Sequence, residues 1–276
     1  MTVISAKNAA LARYKPIQVK VALIFLCLIL VACSERRQQA LIQKADEKIA
    51  LGQYGEASDL LRKAITLNPE SRSATKALYK LGFSLESYLR DFDGAIFNYQ
   101  EFIRLSQDRV AIYEVQKRIA NLYFEQYRDS EKAIAAYRKL ISFNAESLEI
   151  DFFQFRIAQA FFRQNNFDQA RLEYQNLLER YPKSQYVART RYEIGNSYYM
   201  EGKYAIAVEA LKRVLRLHTQ SEYGIHAEFL VAQCLEQLDK LPAAMQEYES
   251  IRGRYPHPDV LDMRIKELKK RMAQKR

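Results

Sequence analysis

The sequence predicts an all-α protein built as a linear array of helix-turn-helix units. Three observations carry that prediction. Turn formers are scarce: the 276 residues include only 8 Gly and 6 Pro, too few for a sandwich or barrel with its many tight connections. Rings are abundant, with 19 Tyr and 14 Phe, which suits packing between helices. Small residues recur in phase. Ala57, Ala95, Ala133, Ala170, Ala207 and Ala244 are separated by 38, 38, 37, 37 and 37 residues, and internal repetition at such a period marks stacked supersecondary units.

Ahead of the array the sequence has a different character. Met1–Lys20 is polar and holds Lys7, Arg13, Lys15 and Lys20 without an acid. Val21–Val31 is an apolar run of eleven residues, shorter than the about 20 a bilayer-spanning helix needs. A basic leader, a short apolar core and a small residue before a cut make a secretory signal. The run closes in Leu30-Val31-Ala32-Cys33-Ser34, which resembles the bacterial lipobox. The resemblance implies that residues 1–32 are removed and that Cys33 becomes the lipid-bearing first residue. Its thiol takes a diacylglycerol and its freed amine a further acyl chain. Stable anchoring needs more than one chain. Ser34 in the second mature position resembles an outer-membrane sorting signal. Residues 33–37 are expected as a lipidated tether. Four extended residues span about 14 Å at most, so the first repeat is expected near the membrane surface.

Charge and cysteine usage exclude several classes. The formal net charge is +10, but it is concentrated at the two ends. Four basic residues lie in the leader, and Asp262–Arg276 holds seven basic and two acidic residues. The body between is essentially neutral, with 32 basic and 31 acidic residues. A nucleic-acid groove needs Lys and Arg spread along a face, so none is expected. Of Cys27, Cys33 and Cys234, the first leaves with the signal and the second takes lipid. Cys234 then has no partner, so no disulfide framework is available, and a buried, inert thiol is expected.

Residues 38–256 contain the repeats. A second small residue recurs in each preceding helix: Ala45, Gly82, Ala120, Ala158, Gly195 and Ala232. Leu61, Tyr99, Tyr137, Tyr174, Leu211 and Tyr248 follow the alanines by four. The pattern resembles the tetratricopeptide repeat, with its small residue in helix A and its Ala and ring in helix B. It implies a right-handed tetratricopeptide-repeat solenoid of about six helix-turn-helix repeats. The small residues let helices A and B approach closely, and stacking buries the faces that no single pair can bury. Gly52 and Gly202 suit the turn between the helices. Asn68-Pro69, Tyr181-Pro182 and Tyr255-Pro256 are expected to end B helices, which Pro cannot continue. The repeats exceed the usual length of about 34 residues, and the extra residues are placed mostly between helix B and the next helix A.

The two ends of the array each admit two readings. Lys44 and Lys48 occupy helix A positions that are apolar in later repeats. They make either a water-facing N-terminal cap or a partner- or headgroup-facing end. In residues 257–276, Asp259 is expected as an N-cap. Leu261, Ile265, Leu268 and Met272 form one helical stripe, with Lys266, Lys269, Lys270, Arg271, Lys275 and Arg276 opposite. This is either a C-terminal capping helix or a docking helix for an acidic partner or anionic surface.

Together, lipobox and array resemble envelope lipoproteins of the outer-membrane assembly BamD type and of the Tol–Pal-associated CpoB (YbgF) type. The lipobox favours the first. The resemblance implies a non-enzymatic, membrane-anchored periplasmic scaffold at the outer membrane, binding envelope proteins or peptides in outer-membrane protein assembly. The alternative is a peptidoglycan or cell-division accessory acting with the Tol–Pal or cell-wall machinery. His218, His226 and His257 have no metal spacing, and there is no Gly-rich phosphate loop, so no metal or cofactor is expected.

Recognition is the better place to seek function. One residue after the small helix A position stand Asn121, Gln159, Asn196 and Gln233. Amides offer donor and acceptor together, so such a ladder can bond the backbone of an extended peptide. Tyr79, Phe155 and Tyr192 fall on the same stripe and are candidate ring anchors, as are Phe124, Phe162, Tyr199 and Phe229. Arg118, Arg156 and Arg189 are candidates to meet a carboxylate. The opposing reading has the amides bonding neighbouring helices and the rings thickening the core.

Overall fold

The computed structural model describes residues 34–144, 147–218 and 221–274. The signal segment, Cys33, Lys275 and Arg276 lie outside the described residues. Among the described residues the secondary structure consists of helices and turns, with no strand. Helix α1 covers residues 34–50 and pairs with α2 (Tyr54–Leu67). Next, α3 (Arg72–Ser84) pairs with α4 (Phe92–Leu105), and α5 (Arg109–Asn121) and α6 (Ser130–Phe143) follow in order. Then come α7 (Ile150–Arg163) with α8 (Phe167–Arg180), and α9 (Val187–Met200) with α10 (Tyr204–His218). Helix α11 (Glu222–Gln237) pairs with α12 (Leu241–Ser250), and α13 (Pro258–Gln274) closes the order. The chain forms two compact units, one ending at Ile119 and the other starting at Ala120.

The in-phase residues lie where helices A and B touch. All six helix B alanines, Ala57 to Ala244, have no solvent exposure. The same holds for Ala45, Ala120, Ala158 and Ala232 of the A helices, and for Leu61, Tyr99, Tyr137, Tyr174, Leu211 and Tyr248. At the two glycines the fit is closest. A Cβ on Gly82 would lie 2.6 Å from Cε1 of Tyr99, and one on Gly195 would lie 2.5 Å from Cδ2 of Leu211. Repeats with Gly in helix A therefore bring the helix B side chain against the backbone itself.

Turn chemistry follows the same period. Gly52 and Gly202 sit at φ +73° and +74°, in the left-handed region that glycine enters without Cβ strain. The other A–B turns place Arg90, Arg128, Asn165 and Asp239 there, at φ between +52° and +59°. Caps are local. Side chains of Ser71, Asp91, Asp129, Asn166 and Ser221 accept from the backbone N–H three residues on, satisfying a donor the helix leaves open.

The extra residue in the two 38-residue spacings has a specific place. Helices α3 and α5 run on into π-turns, Leu85–Leu89 and Leu122–Tyr127. The turn after α3 is closed by Asp91 N–H donating to the Leu85 carbonyl, and the turn after α5 by Asp129 N–H donating to that of Tyr123. In the turns after α7 and α9 the closing bond spans one residue fewer: Asn166 to Phe161, and Lys203 to Tyr198. An inserted residue is absorbed by widening one helical turn, so in these two repeats one of the extra residues lies between helices A and B rather than after helix B.

Three end assignments are also corrected. Residues 34–37 are helical and make no extended tether. Glu35 accepts from the Ser73 hydroxyl, and Gln38 donates to the carbonyls of Ala64 and Asn68. Helix α12 ends at Ser250, well before Tyr255-Pro256. Helix α13 begins at Pro258, so Asp259 lies in its first turn, where its charge meets the helix dipole.

The ends of the array differ in chemistry. Lys48 is tied to Glu56 at 2.7 Å and donates to Gln53 at 2.8 Å, while Lys44 is exposed. Leu261, Ile265 and Leu268 of α13 are buried with Leu241, Ala244 and Tyr248 of α12, so this helix caps its unit. Cys234 has no exposure, and burial pushes its thiol up to about 12. No helix among the described residues is long and apolar enough to cross a membrane.

Gly82→Ala and Gly195→Ala are expected to destabilise by about 1–3 kcal/mol each, the usual cost of forcing a methyl into a filled contact. Urea unfolding measures this. Wild-type midpoints would contradict the helix A–B register.

Candidate functional site

The helix A faces carry the candidate recognition residues, and the structure divides them into three groups. The first is core. Phe155 is 1% exposed, Phe124 1% and Phe229 9%. Phe155 was expected as a surface anchor, and this is corrected: its ring is stacked on Tyr186 at 5.1 Å and packs on Tyr174 at 5.7 Å. Burying both faces of a ring gains more than leaving one wet.

The second group comprises the amides. Asn121 is exposed and accepts from the Tyr137 hydroxyl at 2.8 Å. Gln159 accepts from Arg156 at 3.3 Å, and Asn196 donates to Glu193 at 3.1 Å. Gln233 is half-buried. Three of the four amides thus bond within their own repeat, and each bond occupies only part of an amide's capacity. Glu193 lies largely out of water. Burial raises its carboxyl above the ordinary range, opposed by Asn196 and Arg189.

The third group is cationic. Arg156 pairs with Glu125 at 2.9 Å and lies over the rings of Phe124 and Phe152 at 4.5 and 5.0 Å. Arg163 shares Glu125 at 3.9 Å and lies over Phe124 at 3.7 Å. Arg189 sits 4.9 Å over Phe155 and 3.9 Å from Glu193. Arg118 pairs with Glu86 at 3.1 Å over the ring of Phe83. These guanidiniums are held by an acid and a ring at once, so any carboxylate of a ligand competes with an internal one. Tyr79 and Tyr192 are half-buried. Tyr79 packs tilted on Phe102 at 5.7 Å and Tyr192 on Tyr223 at 5.9 Å.

Two recurring devices were missed from the sequence. One is an acid inside the repeat. The Tyr99 hydroxyl donates to Glu86, and that of Tyr248 to Glu236, both at 2.5 Å. Each acid stands four residues after its repeat's small helix A residue, a phase the sequence displays. The other is a covering tyrosine, brought by the connection or first turn that follows a repeat. Tyr186 covers Phe155, Tyr223 covers Tyr192, and Tyr255 is stacked on Phe229 at 4.5 Å. Tyr186 and Tyr223 stand nine residues before Gly195 and Ala232, so this signal too was present. Among the described residues no group of His, Cys, Asp and Glu is placed to hold a metal ion.

Residues 152–276 match the family model described as outer membrane lipoprotein (YfiO). Residues 38–71 and 76–106 match two tetratricopeptide-repeat models. No curated protein matches the chain. Among solved structures, a tetratricopeptide-repeat protein from Parabacteroides merdae is similar at 19% identity with a TM-score of 0.53, over 78% of this chain and 79% of that one. The C-terminal part of a repeat-containing protein from Cytophaga hutchinsonii is similar at 18% identity and 0.54, over 75% and 76%. PilW, a type IV pilus biogenesis factor, is similar at 14% and 0.51, over 82% and 97%. At these identities the likeness shows the fold. The chain is an all-α tetratricopeptide-repeat solenoid that resembles outer membrane lipoproteins of the BamD type in its second half.

Phe155→Ala is expected to cost about 3–5 kcal/mol of stability, as for a buried ring. Gln233→Ala should stay within about 0.5 kcal/mol. Denaturant unfolding of the two variants checks the division between core and surface; a mild Phe155→Ala would return that ring to the candidate anchors.

Proposed function

We propose that this chain is a non-enzymatic scaffold, lipid-anchored to the outer membrane through Cys33 and facing the periplasm, that binds envelope proteins or peptides during outer-membrane protein assembly. The match of residues 152–276 to outer membrane lipoproteins carries this reading. The lipobox-like Leu30-Val31-Ala32-Cys33 supports it from the other end of the sequence. Helical residues from 34 onward strengthen the mechanical side. One turn of α-helix advances only about 5.4 Å, so a lipid at Cys33 would hold α1 close against the headgroups. The half-buried Tyr192 and Gln233 and the exposed Asn121 supply rings and unsatisfied amide capacity for a bound chain.

A second reading rests on α13. Lys266, Lys269 and Lys270 are exposed while the opposite stripe is buried. This leaves a basic face for the anionic polymers of the cell wall, and with it a Tol–Pal or cell-wall accessory role.

Two measurements test the proposal. Cys33→Ala should leave an uncleaved precursor absent from the outer membrane fraction; a variant that fractionates there at wild-type size refutes the anchor. Photo-crosslinkers at Asn121, Tyr192, Gln233 and the exposed Lys76 of α3 should capture envelope proteins in living cells. Recovery of no protein adduct from any of the four overturns the scaffold. Binding to purified sacculi that is lost without residues 262–276 would favour the second reading instead.

A further inference from the structure

The covering of helix A rings by tyrosines fails at one place in the first unit. Phe155 and Tyr192 stand three residues before Ala158 and Gly195, and each is covered by a tyrosine nine residues before the next small helix A residue. Tyr79 stands in that same position, three before Gly82. The residue nine before Ala120 is Ala111. Where the residues nine before Gly195 and Ala232 bring a phenol ring, this one brings a methyl group.

A cavity of about 820 Å³ lies there, and its lining includes Tyr79, Ala111, Phe102 and Leu105. The Tyr79 ring meets Tyr99 and Phe102 in tilted contacts at 6.5 and 5.7 Å. Ala111 is fixed in place, because Asp108 accepts from the N–H groups of Val110 and Ala111 at 3.0 and 3.1 Å. Arg72 and Lys76 rim the cavity from α3, and Asp108 and Glu114 from the start of α5. Donors and acceptors thus flank an aromatic floor, the mix that receives a peptide backbone around one inserted side chain.

We propose that this cavity takes one tyrosine or phenylalanine side chain from an extended segment of a partner protein, in the place that Tyr186 and Tyr223 occupy within the chain itself. The proposal rests on the scaffold reading and names where and by what chemistry a partner is held. The internal copies define the ligand. Covering rings sit 5.1, 5.9 and 4.5 Å from their partner rings at Phe155, Tyr192 and Phe229, within the range of favourable ring pairs. An aliphatic side chain fills volume but cannot make that contact.

The test uses a probe copied from the protein: the heptapeptide Pro-Lys-Ser-Gln-Tyr-Val-Ala, residues 182–188, titrated into the purified chain. The backbone amide signals of Tyr79 and Ala111 should shift. The same peptide with Ala in place of its Tyr should bind at least tenfold more weakly. Ala111→Tyr should supply the missing ring within the chain, abolish the shifts and raise the melting midpoint. Equal binding of the Tyr and Ala peptides overturns the proposal, whatever the variant does. Undiminished binding by an Ala111→Tyr variant of wild-type helicity overturns it as well. Crosslinks from Tyr192 or Gln233 with no heptapeptide binding would sink this site and leave the scaffold standing. No crosslink from any position, with heptapeptide binding intact, would do the reverse.

Discussion

The close approach of helix A to helix B within each repeat is the constraint on which the structure depends. At Gly82 and Gly195 no methyl group fits between the helix A backbone and the helix B side chain. At Ala45, Ala120, Ala158 and Ala232 a methyl fits and is fully buried. Once the two helices are this close, the residue four after the helix B alanine must lie flat against helix A. That is why Tyr99, Tyr137, Tyr174 and Tyr248 are buried to zero exposure. A phenol pressed there carries a hydroxyl with it, and a buried hydroxyl needs a partner. Glu86, Asn121 and Glu236 accept from Tyr99, Tyr137 and Tyr248, while the hydroxyl of Tyr174 meets no acceptor among the described residues. In the second and sixth repeats the acceptor is an acid, Glu86 for Tyr99 and Glu236 for Tyr248.

The same economy governs the helix A faces. Rings that would otherwise form an open apolar stripe are covered by tyrosines from the connection or first turn that follows. The six residues between α8 and α9, longer than a minimal turn, bring Tyr181 and Tyr186 against the cluster around Phe155. The lengthened connection adds core and reduces sticky surface together. Guanidiniums above these rings, such as Arg156 and Arg189, gain from ring and acid at once, and rigid placement of this kind suits a surface that must hold its shape.

Insertion and termination are handled locally. A one-residue excess in two repeats is confined to the last turn of helix A, where it becomes a π-turn ending in a left-handed arginine. The surrounding core does not shift phase, because every landmark residue of those repeats remains buried. At the far end, α13 spends its apolar stripe on α12 and leaves its lysines to water, the division a terminal repeat needs for solubility.

The sequence by itself determined the repeat, its register and its phase. Spacing alone located Ala57 through Ala244 and Ala45 through Ala232, because a backbone contact tolerates so few residue types that their recurrence is visible without coordinates. It also located the turn glycines Gly52 and Gly202, for the same reason. What a helix A residue faces was decided only by tertiary structure. Phe155 and Tyr192 share one sequence phase, yet the first is core and the second half-buried. Each is covered by a tyrosine 31 positions on, but Tyr186 stacks on Phe155 at 5.1 Å and 15° whereas Tyr223 meets Tyr192 tilted, at 5.9 Å and 42°. Periodicity reports which way a side chain points. It is silent on what another segment lays over it, because that depends on packing among residues distant in sequence. The helical state of residues 34–37 follows the same logic: Glu35 bonds to Ser73, and the next residue, Gln38, to Ala64 and Asn68, and none of these is local.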